Sequence, residues 1–144
     1  MTITNDDVLT APAGLFLARF EVGGELPGAP LLHLAFTVYT PGRTVTGLGR
    51  LTQAVNPPLD VASRLGGDYT YLTVMPNEST LLVTATGYPV VEAPADAGIL
   101  PVLPPNLTLR MVLDKDWQSG VANYSYLSGG AWHEVTDAPV KQVG

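Results

Sequence analysis

The sequence predicts a single all-β domain, and three observations predict it. Runs of β-branched and aromatic residues alternate with polar ones at a period of two. Turn residues, 15 Gly and 13 Pro, are spread between those runs. No segment of useful length carries apolar residues at helical spacing. A chain of 144 residues suffices for one domain with its own core.

Taken in order, Met1 to Pro12 reads as a flexible or edge-pairing tail, and residues 13–144 as the β-domain. Leu15 to Val22 (LFLARFEV) is the first strand and ends at Gly23-Gly24. Leu31 to Tyr39 places Leu32, Leu34, Phe36 and Val38 on one face. Arg43 to Thr52 places Val45, Gly47, Gly49 and Leu51 together, and Pro41-Gly42 before it suits a tight hairpin. The two glycines within that strand favour strong curvature. Ala54 to Leu65 (AVNPPLDVASRL) is expected to hold at most one short helical turn, started by Pro57-Pro58. Tyr69 to Met75 and Thr80 to Tyr88 form a second hairpin about Pro76-Asn77. Pro89 to Pro105 contains five prolines and cannot be a central strand. Leu107 to Leu113 follows as a strand, and Gly120 to Leu127 closes against Ala131 to Thr136 across Ser128-Gly129-Gly130. About eight antiparallel strands result, either a β-sandwich or a closed β-barrel, and alternation alone does not choose.

Composition removes several classes of function. There are no cysteines, so disulfides, thiolate metal sites and cysteine nucleophiles are excluded. Seven scattered Lys and Arg against thirteen Asp and Glu give a net charge of −6, which argues against nucleic-acid binding. No apolar run is long enough for a transmembrane helix, and Met1 to Thr10 does not read as a signal peptide. The expectation is a cytoplasmic protein, with leaderless export left open. Charged residues make up 14%, below the usual quarter or so. A surface this neutral is either rich in Thr, Ser, Asn and Gly or partly covered by another copy, so a homo-oligomer is expected.

The segments LTQAVNPPLDV, DYTYLTVMPN, ATGYP, LRMVLDKDW and WHEVTDAPVKQV are similar to a family of small bacterial proteins classed as a domain of unknown function. The likeness covers roughly residues 30–143. It implies a bacterial source and brings no activity and no functional residue.

Catalytic constellations are thin. There is no Gly-x-Ser-x-Gly elbow, and His33 and His133 are the sole histidines. Asp114, Asp116 and Gln118 match the first positions of a calcium loop, but Ser119 and Ser125 stand where it needs Gly and Glu. No metal, cofactor or catalytic residue is therefore expected. Glu21, Asp60, Asp68, Glu78, Glu92 and Glu134 could pair for glycoside hydrolysis, but nothing in the sequence pairs any two.

Aromatic residues carry the one positive signal. Tyr69 and Tyr71 share a strand face, as do Tyr124 and Tyr126, with Trp132 across the hairpin and Trp117 in the preceding loop. One reading is a stacking platform for sugar rings or another flat ligand, with Asp68, Asn77, Asn123 or Asp116 as polar partners. The other is packing in the core. The functional expectation is a non-enzymatic β-module that binds a ligand, a carbohydrate in its sharpest form, or assembles with itself. The alternatives are a barrel carrying a small apolar molecule inside, and an enzyme that uses one histidine with an acid.

Overall fold

The computed structural model describes residues 14–75, 78–91, 98 and 103–144. Eight strands are present among them: β1 (Leu15–Gly23), β2 (Leu31–Tyr39), β3 (Thr44–Gln53), β4 (Leu59–Met75), β5 (Glu78–Pro89), β6 (Leu107–Asp114), β7 (Ser119–Ser128) and β8 (Ala131–Gln142). Each pairs antiparallel with the next, and β1 pairs with β8, so the sheet closes into a barrel. The expected segment from residue 1 to 12 lies outside the described residues, as does most of 89–105.

Closure settles the choice between sandwich and barrel, and it rests on a short seam. Three register pairs join the first and last strands: Phe20 with Gln142, Glu21 with Lys141, and Val22 with Val140. Lys141 Nζ lies 3.5 Å from Glu21 Oε2 across this seam. Below it, the outer edge of β8 is blunted twice. Asp137 adopts a left-handed φ of 55° at a register shift against β7, and Pro139 has no N–H to offer. Bulge and proline both make this edge a poor template for further strands.

Alternation set the inward face correctly. From β1 to β3 the inward positions are Ala18, Phe20 and Val22, then Leu32, Leu34, Phe36 and Val38, then Val45 and Leu51, and all are buried. Leu81 and Val83 on β5, Leu109, Met111 and Leu113 on β6, and Tyr124 on β7 complete the filling. The curvature expected from Gly47 is present. A Cβ there would lie 1.9 Å from the Ala35 carbonyl oxygen of the neighbouring strand. Gly67 stands in the same relation to the Thr84 oxygen, also at 1.9 Å, so both strands bend where no side chain could be accommodated.

Ala54 to Leu65 stays within the helical limit set by the sequence, but the strand expected from Tyr69 begins ten residues earlier. No helix forms among the described residues, and β4 begins at Leu59 and runs for 17 residues. Pro57-Pro58 marks the approach to a strand rather than the first turn of a helix. Leu59, Val61, Ser63 and Leu65 continue the inward alternation that Tyr69 carries on. β8 likewise runs six residues past the expected Thr136, to Gln142.

The two barrel ends close differently. At one, Trp117 sits in the β6–β7 turn with φ 64°, and this folds its ring back over the opening. It meets Phe16 at 5.4 Å and Tyr69 at 5.0 Å, both edge-on. At the other, buried Asn106 pins the chain entering β6. Its Oδ1 accepts from Ser63 Oγ at 2.7 Å, its Nδ2 donates to the Ala62 carbonyl at 3.3 Å, and its own carbonyl accepts from the Leu127 N–H at 2.9 Å. Tyr126 and His133 stack beside it, with ring centroids 5.1 Å apart.

Candidate functional site

The outward positions of β4 to β8 form a polar groove of about 530 Å³, within the usual range of ligand sites. Antiparallel register places its lining in two cross-strand rows. In one, Asp68, Thr84, Arg110 and Asn123 lie side by side on β4, β5, β6 and β7. In the next, Gly66, Thr86, Thr108, Ser125 and Glu134 do the same, ending on β8. Gly66 contributes the depression. A Cβ built there would have nothing within 4 Å, so the missing side chain is unfilled space above the sheet.

Hydrogen bonds within the groove orient its polar groups. Thr84 Oγ1 donates to Asp68 Oδ1 at 3.1 Å. Asn123 Oδ1 accepts from the Asp137 N–H at 2.8 Å, which leaves the Asn123 Nδ2 group as a donor. The β8 bulge thus sets a groove side chain. One pleat further along, Tyr88 and Trp132 occupy the same outer faces of β5 and β8 as Thr86 and Glu134. They are 48% and 50% exposed, so two aromatic rings border the polar rows at one end.

The sequence candidates separate. Tyr69 and Trp117 are buried in the first barrel end, with Tyr71 exposed beside them and the Arg43 guanidinium 5.3 Å from its ring. Tyr124 and Tyr126 point into the interior, 6.3 Å apart. Trp132 does not join them: it is opposite outward Leu127, whereas Tyr126 is opposite His133. Asp68 lies in the groove, and Asn77 lies outside the described residues. Asp114 and Asp116 bond their own turn. Ser119 Oγ donates to Asp114 Oδ2 at 2.9 Å, and the Gln118 N–H donates to Asp116 Oδ1 at 3.3 Å. Among the described residues no three potential ligands cluster for a metal ion.

Thr84, Thr86, Thr108 and Arg110 escaped the sequence reading. Outward threonines are ordinary in strands, and only register reveals that these face one another. Two tyrosine hydroxyls are displaced chiefly by burial, whereas the Arg50 guanidinium is raised and the Asp60 carboxyl lowered by the hydrogen bonds between them. The Tyr69 hydroxyl is raised, first by burial and then by neighbouring Tyr71. The Tyr124 hydroxyl is pushed up to about 12 by burial, with Tyr126 a second cause.

These features define a small closed β-barrel whose interior carries a core of its own side chains and whose wall carries an external polar groove. The chain belongs to the DUF1842 family, a domain of unknown function, whose pattern matches residues 13–132. The resemblance to a domain of unknown function read from the sequence is thereby established, over residues 13–132. No curated protein matches the chain.

Proposed function

We propose that the protein is a non-enzymatic carbohydrate-binding module whose site is the outer groove of β4 to β8. One observation carries the reading: Thr, Ser, Asn, Asp, Glu and Arg side chains share one groove, and the next row beyond it carries two half-exposed aromatic rings. Sugar rings present hydroxyls at their edges and an apolar C–H face. The Thr84, Thr86, Thr108, Ser125 and Asn123 groups suit the first, and Tyr88 and Trp132 suit the second. Binding is favoured over hydrolysis. Asp68 and Glu134 stand on β4 and β8, with three strands between them, half the way round the closed barrel. Glycosidase carboxylates are roughly 5–9.5 Å apart.

Screening the full chain on an array of neutral and acidic glycans tests this, followed by calorimetry on the best hit. Trp132→Ala and Thr108→Val are expected to weaken that hit at least tenfold with little change in melting temperature. Absence of any retained glycan, or binding indifferent to both changes, overturns the reading.

Self-association is a second reading, favoured by outward Leu15 and Leu17 on β1, the latter 74% exposed. Exposed neighbouring leucines are the kind of surface that copies bury together. Light scattering on a sizing column checks it: a mass of 15.2 kDa rules it out, and a larger mass that Leu17→Glu returns to the monomer supports it.

A further inference from the structure

A second concavity lies on the other half of the barrel wall, across the outer faces of β1 to β4. Its volume is about 440 Å³. Short side chains make the floor: Ala35 on β2 and Ala62 on β4 stand between longer neighbours. Leu48 rises beside Ala35, and the β3–β4 register puts Arg64 next to Leu48. One cross-strand row therefore reads Arg19, Ala35, Leu48, Arg64 from β1 to β4. Val143, whose N–H donates to the Arg19 carbonyl at 2.9 Å, walls one end, and Val90 walls the other.

Charge distinguishes this trough from an ordinary apolar patch. In a chain of net charge −6, Arg19, Arg50 and Arg64 gather on this one face, together with His33. Arg50 is committed: its Nε and Nη2 donate to Asp60 at 3.0 and 2.6 Å. Among the described residues, neither Arg19 nor Arg64 is joined to a carboxylate. Two arginines thus flank an apolar row, one at each end, about 14 Å apart by three strand steps. Guanidinium groups in that position select a carboxylate by forked hydrogen bonds, and the row between them selects a hydrocarbon chain.

We propose that this trough binds a free medium-chain aliphatic carboxylate, with the chain along Ala35, Leu48 and Ala62 and the head group on Arg19, which lines the trough, Arg64 standing next to Leu48 just outside it. The trough lies apart from the polar groove and does not depend on the sugar-binding reading. A soluble carboxylate fits better than an anionic membrane. The ligand must enter a narrow concavity, and the acidic remainder of the molecule repels a negatively charged bilayer.

Calorimetric titration of the full chain with decanoate, decanol and decyltrimethylammonium tests the proposal. Decanoate is expected to saturate one site below its micelle concentration, at least tenfold more tightly than decanol, with no binding of the cation. Arg19→Gln combined with Arg64→Gln is expected to abolish the preference for decanoate over decanol. Leu48→Glu is expected to abolish binding of both. All three side chains point outward, so circular dichroism and melting temperature should report an intact fold. No saturable decanoate binding, equal affinity for decanol, or binding indifferent to Leu48→Glu overturns the proposal. So does uptake onto anionic phospholipid vesicles without binding of free decanoate. Loss of glycan binding in Trp132→Ala while decanoate still binds would separate the two sites.

Discussion

The Trp117 ring meets the Tyr69 ring edge-on, with centroids 5.0 Å apart and planes at 81°. This contact joins a turn residue to a strand residue and closes one barrel end. Two side chains that the sequence suggested for a stacking platform are thereby used in packing.

Trp117→Ala should accordingly behave as a core truncation. Loss of a large buried ring costs about 3–5 kcal/mol. At roughly 3 °C per kcal/mol, the melting temperature should fall on the order of 10 °C. Thermal denaturation followed by circular dichroism beside the wild type measures it. A change within experimental error would show that the ring contributes nothing to closure.

Ser63 and Asn106 make the buried polar pair at the opposite end. Ser63→Ala leaves the Asn106 Oδ1 without its donor, at a cost of about 1–3 kcal/mol. A double-mutant cycle with Asn106→Ala should give a coupling of about 1 kcal/mol or more. Additive effects would mean that the two groups do not act on each other.

Tyr124 places its hydroxyl in the barrel interior, 2% exposed as a residue and with no hydrogen-bond partner among the described residues. Removing an unsatisfied buried hydroxyl relieves its desolvation cost, so Tyr124→Phe should gain about 1 kcal/mol at neutral pH. A loss of that size would reveal a partner for the hydroxyl.

The same residue predicts an alkaline limb. Its folded pKa is about 12 against 10.0 for the free side chain, so the unfolded chain releases this proton first. Stability from this group is complete below about pH 10 and is lost as the pH rises toward about 12, at about 1.4 kcal/mol per unit. Tyr69 acts in the same direction. Denaturant titrations across that window should show a shallower decline in Tyr124→Phe than in wild type. Parallel curves would contradict the assignment.

Gly67 offers a backbone test. Its absent Cβ would meet a main-chain oxygen, which cannot rotate away as a flexible side chain can. Gly67→Ala should therefore cost several kcal/mol or prevent soluble expression, since overpacking alone costs about 1–3 kcal/mol. Gly66→Ala, one residue away and facing open space, is the control and should fold normally. Similar melting temperatures for the two variants would refute the close approach.

Much of the fold was legible because strand periodicity is local. Leu32, Leu34, Phe36 and Val38 announce an inward face within seven residues, and Gly129-Gly130 announce the hairpin that follows β7. The start of β4 was misread because Pro57-Pro58 suits the first turn of a helix as well as the approach to a strand. Less of the candidate site was legible. Trp132, Asp68, Asn123 and Glu134 stood out by type, whereas Thr84, Thr86 and Thr108 resembled any outward strand residue.

Local alternation along the chain was enough to read an all-β protein, the approximate position of its strands and the side chains they turn inward. Composition excluded cysteine chemistry and argued against a nucleic-acid surface. Closure of the sheet could be seen only in three dimensions, because it depends on Phe20 to Val22 meeting Val140 to Gln142, far apart in the chain. The same is true of the separation of Tyr126 from Trp132. Whether two residues share a face across strands depends on register, and a shift of one residue reverses the face of every side chain beyond it. The polar groove and the arginine-flanked trough are each assembled from at least four strands, so no local pattern could have shown them.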